Sequence, residues 1–470
     1  MAKQAFIVVG LGYGDEGKGT VTDYLTRKFQ AHTIIRFNGG SQAAHHVVTN
    51  EGLTHCFAQF GSGSLVANVK TYLSSYMVVD PLSLIVENKA LEEKGVTDAL
   101  TRLSIDGNAL VTTPFHKIIN QIQEMSRGDN RHGSCGKGVG QTILDSHYLK
   151  DKALFIKDLA DKQITYQKLK FLWQIKLDLA EQLVSQQKDN PELIKYLEKL
   201  KQPYYIEELT EAYTDFISKI KLVNERKLEE FFASNGTIIL EGAQGVLLDF
   251  ERGFWPHVTK SQTTFANADR LLKSAGYQAD VKKIGLLRAY SSRHGAGPFV
   301  TEDSELTAKL PDYHNGNNPW QSVFRVGWFD LIAAKYACQV VENIDFLAIT
   351  NLDRLCELPI AKICTSYQYI GKNIDLVEKF FDTYLDNNQV FVSSIKVPKE
   401  TSQEYQRQLA ELLKDCCPIY KEFKLAKMDK IKSILELPAN IKAYLNFISE
   451  KLGIPIKIIS IGVTAEDKIS

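Results

Sequence analysis

The sequence predicts a P-loop-like α/β fold: a mostly parallel central sheet flanked by helices, with helical and small α+β insertions. Three observations carry this prediction. An apolar run near the start, AFIVVG (residues 5–10), enters a glycine-rich turn and then a segment of helical spacing, TVTDYLTRKF (20–29). The same strand-into-glycine pattern returns further along the chain. Residues 151–232 instead carry Lys, Gln, Glu and Leu at helical period with few glycines.

Taken in order, HTIIRFNGG (32–40) reads as the second strand, and GTIILEGAQG (236–245) and KKIGLLRAYSSRHGAG (282–297) as buried strands running into glycine turns. IDFLAITNLD (344–353) is another, and PIKIISIGV (455–463) is the last strand. Loops that follow the C-terminal ends of such strands are where open α/β sheets bind ligands. The chain is expected to form one domain over 1–470, with a helical insertion at 151–232 and a mixed subdomain at 365–445. The latter contains an amphipathic stretch, SQEYQRQLAELLKDC (402–416).

Composition narrows the function. Hydrophobic residues make up 44% and charged residues 24% of the 470 positions, ordinary globular values. Lys plus Arg equals Asp plus Glu at 56 each, so no basic excess points to nucleic acid. Seven scattered Cys without C-x-x-C spacing point to a reducing compartment, with neither a disulfide framework nor a zinc site. No leader and no long apolar run is seen, so the expected location is the cytoplasm, with no membrane partner.

The chemistry begins at VVGLGYGDEGKGTVTDYL (8–25). A P-loop reads G-x-x-x-x-G-K-[ST]. Gly12, Gly17 and Lys18 fit it, but Gly19 stands where a hydroxyl would ligate magnesium, and Asp15 and Glu16 put two acids inside the loop. Backbone N–H groups at a helix N-terminus, with Lys18 beside them, favour phosphate. A glycine turn without a ligand is the plainer reading. Lys18 and the acids in the same turn weigh against it.

The segment GDEGKG (14–19) resembles the N-terminal motif of the adenylosuccinate synthetase family, and the resemblance continues along nearly the whole chain. RFNGGSQAAHHVV (36–48), GSCGKGVGQTILD (133–145), LEGAQGVLLDFERGFWPHVTKSQTT (240–264), AYSSRHGAGPFVTE (289–302) and TNLDRL (350–355) are similar to the family's ordered motifs. The resemblance implies a GTP-dependent ligase that joins aspartate to inosine monophosphate. GTP phosphorylates the purine 6-oxygen, and the aspartate amine then displaces phosphate.

The resemblance also implies roles. Asp15 is the general base and a magnesium ligand, His45 the acid at the transferring phosphoryl group, and Lys18 a third catalytic group. The carbonyl of Ala44, where the family has Gly, is the other magnesium ligand. Gly14, Glu16, Gly17, Lys18, Gly19, Asn351 and Asp353 bind GTP, with Asp353 reading the guanine edge. Gln42, Ser134, Cys135, Gln244 and Thr259 contact the substrate nucleotide. A homodimer is implied too. Taken alone, His45 could be a structural hydrogen-bonder, and Asp353 could simply cap the turn it begins.

Three departures from the family pattern stand out. Ser134, Cys135 and Lys137 replace Thr, Thr and Arg. An arginine that the family lends across its dimer falls near Leu149 and Lys150. In the amino-acid loop NNPWQSVFRVGW (317–328), Ser322 and Phe324 stand at two arginine positions and Arg325 alone remains. A dicarboxylate normally calls for bidentate Arg partners. Two alternatives stay open: a paralogue with another amino donor or acceptor nucleotide, and a non-catalytic nucleotide-binding homologue.

Overall fold

Strands buried on both faces need helices above and below, and the apolar runs are placed in that way. The computed structural model describes residues 3–470 except 129–130, 203–204, 224–227, 313–319, 321–322 and 429–430. Its ten-stranded sheet comprises β1 (Gln4–Gly10), β2 (Thr33–Arg36), β3 (Lys70–Leu73), β4 (Leu103–Asp106), β5 (Lys221–Val223), β6 (Thr237–Gly245), β7 (Asp280–Arg288), β8 (Phe346–Thr350), β9 (Ile456–Ser460) and β10 (Lys468–Ile469). The order is β10-β9-β8-β7-β1-β6-β2-β3-β4-β5. All pairings are parallel except that of β10, which returns antiparallel to β9.

The glycine-terminated strands are thus central: β1 lies between β6 and β7, and the C-terminal ends of β1, β6, β7 and β8 open toward one edge of the sheet. The order jumps from β1 to β6 and β7, so ligand-binding loops from distant sequence meet there. Helix Lys18–Lys28 follows β1 and buries Val21, Tyr24 and Leu25. The sequence reading ended the sheet at residues 455–463; the structure adds β10 beyond it, a two-residue strand too short to show a pattern.

Helices Lys162–Ser185, Pro191–Leu200 and Tyr205–Ser218 occupy the region read as helical. Residues of that stretch also supply β5, at the sheet edge. The helices share one apolar core with the sheet: Leu169, Leu193 and Tyr213 pack in the same cluster as Phe57, Leu73 and Ile105. A second, five-stranded sheet holds Ile360–Tyr369 between antiparallel partners Gln389–Ile395 and Cys416–Lys424. Helix Gln403–Lys414 fits the amphipathic stretch, with Leu409, Leu412 and Leu413 buried.

Candidate active site

The loop after β1 resolves the puzzle of its two acids by giving them opposite directions. Glu16 is only 4% exposed. Its carboxylate accepts from the Gly14 amide at 2.7 Å and from Lys18 Nζ at 2.9 Å. Lys18 also donates to the Gly14 carbonyl at 2.7 Å. Glu16 therefore ties the loop from beneath and holds the lysine in place. Asp15 faces a cavity of about 440 Å³. Burial raises its pKa, a rise opposed chiefly by the Arg288 guanidinium.

This cavity collects most of the predicted GTP and catalytic set: Gly14, Asp15, Gly17, Lys18, Gly19, Ala44, His45, Asn351 and Asp353 line it together. Glu16 is absent from its lining. Gly14 and Gly17 take φ of 111° and 76°, a region where a side chain is strained, and this lets the loop curl over the helix N-terminus. Asp353 follows Asn351, which sits at φ 57°, and burial raises the Asp353 pKa.

His45 begins the Val48-bound strand of a hairpin with Thr54–Phe57. Its Nδ1 lies 2.6 Å from Glu241 Oε1 in β6. Glu241 is fully buried, accepts from the Ser62 amide and hydroxyl, and stands 4.0 Å from Arg36 Nε. Burial lowers the His45 pKa to about 4, against the pull of Glu241. The imidazole is therefore neutral near pH 7, with the Nδ1 proton given to Glu241 and Nε2 left for a ligand. Sequence reasoning passed over Glu241. The signal was there: an acid inside the apolar strand IILEGA must have a buried partner.

Three of the substrate-nucleotide candidates, Gln42, Gln244 and Thr259, lie close together. Ser261 Oγ donates to Gln244 Oε1 at 3.2 Å and lies 3.1 Å from Thr259 Oγ1. Gly39 lies against the Gln244 amide, and Gly40 against Gln42 and Val139. Ser134 Oγ accepts from Asn120 at 2.9 Å. Cys135 is half-buried beside it, and burial raises its thiol pKa.

A family model for adenylosuccinate synthetase matches residues 7–469. The chain belongs to the adenylosuccinate synthetase family. The adenylosuccinate synthetase of Thermoplasma volcanium is 34% identical over 97% of this chain and 94% of its own length. That of Clostridium beijerinckii is 30% identical over 97% of both. Among solved structures, fully ligated adenylosuccinate synthetase from Plasmodium falciparum shares the fold at TM-score 0.77, with 22% identity over 99% of each chain. A cyanophage S-2L succinoaminodeoxyadenylate synthetase shares it at TM-score 0.58, with 14% identity over 100% of this chain and 95% of its own.

Magnesium goes with this family, and the donors present fit it. Asp15 offers a carboxylate and Ala44 an exposed backbone in the same cavity. Ala44 is not among the residues of positive φ, so replacing a family Gly there brings no backbone strain. One or two carboxylates plus substrate phosphates is the usual way Mg²⁺ is held.

The amino-acid loop departs from the family pattern in sequence, and the arginine it keeps is engaged within the chain. Ser322 lies outside the described residues. Arg325 Nε donates to the Gly295 carbonyl at 3.1 Å, its Nη2 to the Gly295 and Gly297 carbonyls at 2.6 and 3.0 Å, and its Nη1 to Glu302 at 2.5 Å. Its guanidinium is thus engaged in pinning the 294–297 turn. Phe324 pairs with His294 across the hairpin. Trp320 packs over Gly136 and stands 5.8 Å from the Tyr196 ring, so the helical region contacts the loop.

Proposed function

We propose that this chain is a GTP-dependent ligase that joins aspartate to inosine monophosphate through a 6-phosphoryl intermediate, giving adenylosuccinate. The observation that carries this reading is one cavity lined together by Lys18, Asp15, His45 and Asp353, which supports the roles of phosphate binder, base, phosphoryl-group acid and guanine reader.

The loop amides and Lys18 hold the GTP phosphates, and Asp353 accepts two N–H donors of guanine. The substrate phosphate and base lie against Gln42, Ser134, Cys135, Gln244 and Thr259. Asp15, made a stronger base by burial, removes the ring-nitrogen proton as the 6-oxygen attacks the γ-phosphoryl group. His45 meets that group with Nε2. The incoming anion raises the basicity of the imidazole, so Nε2 takes up a proton from solvent and donates it to that group in a hydrogen bond, and Glu241 stabilises the imidazolium. The amine of aspartate then attacks C6, and phosphate leaves with the oxygen. Asp15 and the Ala44 carbonyl would hold Mg²⁺ together with the phosphates, and the ion would supply charge neutralisation at the transferring group. The reading includes a homodimer; Tyr148, just before Leu149 and Lys150, is 82% exposed and offers a surface for it.

The test is a product assay with GTP, magnesium, inosine monophosphate and aspartate, followed by mass spectrometry. Adenylosuccinate and GDP are expected, with ATP a poor donor. A second reading keeps the activation step but changes the amino donor, because Phe324 carries no charge and Arg325 is engaged. A panel of amino acids in the same assay separates the two, and no product with any of them would refute both.

A further inference from the structure

The family pattern places arginines in the amino-acid loop, yet this chain has Phe324 at one such position and Arg325 bound to carbonyls. Arg293, also nearby, is fully buried and donates from Nε and Nη1 to the Ala296 and Pro298 carbonyls at 3.0 and 2.7 Å. A different guanidinium lines the site. Arg288 closes β7 in register with Thr350 of β8, at the mouth of the site. It lines both the nucleotide cavity with Asp15 and a smaller pocket with Tyr13 and Ser292. Its Nη1 donates to Ser292 Oγ at 3.0 Å and its Nη2 to Asp312 Oδ2 at 3.3 Å. Its Nε is buried and has no acceptor among the described residues. Its side chain is 11% exposed, and the guanidinium carbon lies 5.9 Å from the centre of the Phe324 ring.

We propose that Arg288 binds a carboxylate of the amino donor, a charge moved from the loop to the end of β7. The proposal rests on the ligase reading above. A guanidinium offers Nε–H and Nη–H as a parallel pair that matches a carboxylate. Ser292 and Asp312 fix the plane of the group from the other nitrogens. The Phe324 ring, 5.9 Å from the guanidinium carbon, stands beside the pair as an apolar neighbour, which strengthens it. A buried donor without an acceptor is costly, and a substrate oxygen would satisfy it.

The experiment is steady-state kinetics of wild type, Arg288→Met, Arg288→Lys and the double variant Arg288→Met/Phe324→Arg, with calorimetric titration of GTP into each. Arg288→Met should raise the aspartate KM by roughly 10- to 100-fold, the size of one lost charge-assisted contact. A thermal melt like that of wild type shows that the variant is folded, and any effect on GTP affinity should be smaller than the effect on the aspartate KM. Lys keeps charge without the fork and should recover the loss in part. Phe324→Arg in the Met background should recover more. If Arg288→Met leaves the aspartate KM unchanged, or raises the GTP dissociation constant in its place, the assignment is overturned. A wild type that makes no adenylosuccinate but uses another amino acid refutes the ligase reading alone; the Arg288 series is then read on the KM of that amino acid. A wild type with no amino donor at all overturns both.

Discussion

At the scale of single residues, Gly19 shows what sequence could and could not tell. By the P-loop pattern its missing hydroxyl was an anomaly. The structure supplies the reason: a Cβ at Gly19 would stand 2.8 Å from the His45 Cβ and 2.9 Å from the His45 carbonyl carbon. The helix N-terminus and the histidine strand are in contact, so a P-loop serine cannot coexist with this histidine. Gly19→Ser, which restores the P-loop motif, should displace His45 and reduce kcat by about 10²–10⁴, the worth of a general acid. GTP should still bind, since the amides and Lys18 remain. A Ser variant with wild-type turnover would show that His45 has no part in the chemistry.

Glu241 belongs to the same scale. Its motif was legible, but its role was not, because the contact to His45 spans 196 positions. Glu241→Gln removes the charge that favours the imidazolium and takes from buried Arg36 the carboxylate 4.0 Å from its Nε, leaving buried Glu87 as the other acid acting on it. Both kcat and melting temperature should fall. The stability loss should be on the order of 3–5 kcal/mol, as for a broken buried pair. Calorimetry and kinetics on one preparation read both, and an unchanged melting temperature would contradict the Arg36 pairing.

At the scale of elements, the sheet strands with glycine ends were readable because burial on both faces makes continuous apolar runs. The hairpin that carries His45 was not: it is two short strands, His45–Val48 and Thr54–Phe57, with mixed burial and three histidines. Helix Leu331–Val341 illustrates an element whose start has an electrostatic cost. Asp330 caps it, accepting from the Ala333 amide at 3.0 Å and from the Tyr367 hydroxyl at 2.8 Å. Burial raises the Asp330 pKa from 3.8 to about 6. The folded state then holds a proton that the unfolded state has released between those values. The Asp330 contribution is fully present below pH 3.8 and is lost as pH rises through 6. Asparagine keeps the cap without the charge. The stability of Asp330→Asn relative to wild type should therefore climb as pH rises between those values and level off above, by on the order of 3 kcal/mol. Urea melts at several pH values measure it, and a flat difference would refute it.

At the scale of the whole molecule, the sequence separated a helical region from the sheet, and the fold joins them by charge as well as by apolar packing. Lys176 of helix Lys162–Ser185 is 2% exposed and reaches Asp145 at 2.5 Å. Asp145 sits in helix Val139–Leu149, whose N-terminus follows the 133–138 loop that carries Ser134 and Cys135. His116 of helix Pro114–Ser126 meets Asp145 at 3.0 Å through Nε2, while its Nδ1 accepts from the Thr113 amide at 3.0 Å. That fixes the neutral Nε2–H tautomer, in keeping with the burial that lowers the His116 pKa. Lys176 is then the cation that balances the Asp145 carboxylate in this triad. Asp145 ends the 133–145 motif, but His116 and Lys176 belong to none, and only the packing of three helices brings the three together. Lys176→Met should lower stability by about 3–5 kcal/mol, since it leaves a buried carboxylate without its counter-ion. It should also weaken inosine monophosphate binding, because the helix that supports the 133–138 loop loses its anchor. Lys176→Met/Asp145→Asn removes the stranded charge while the amide oxygen still accepts from His116, so it should regain most of the stability. Thermal melts with and without inosine monophosphate test the chain of reasoning. If the single variant melts like wild type, the triad does not hold the helices. If the double variant is no more stable than the single one, the loss comes from packing around the lysine stem and not from charge.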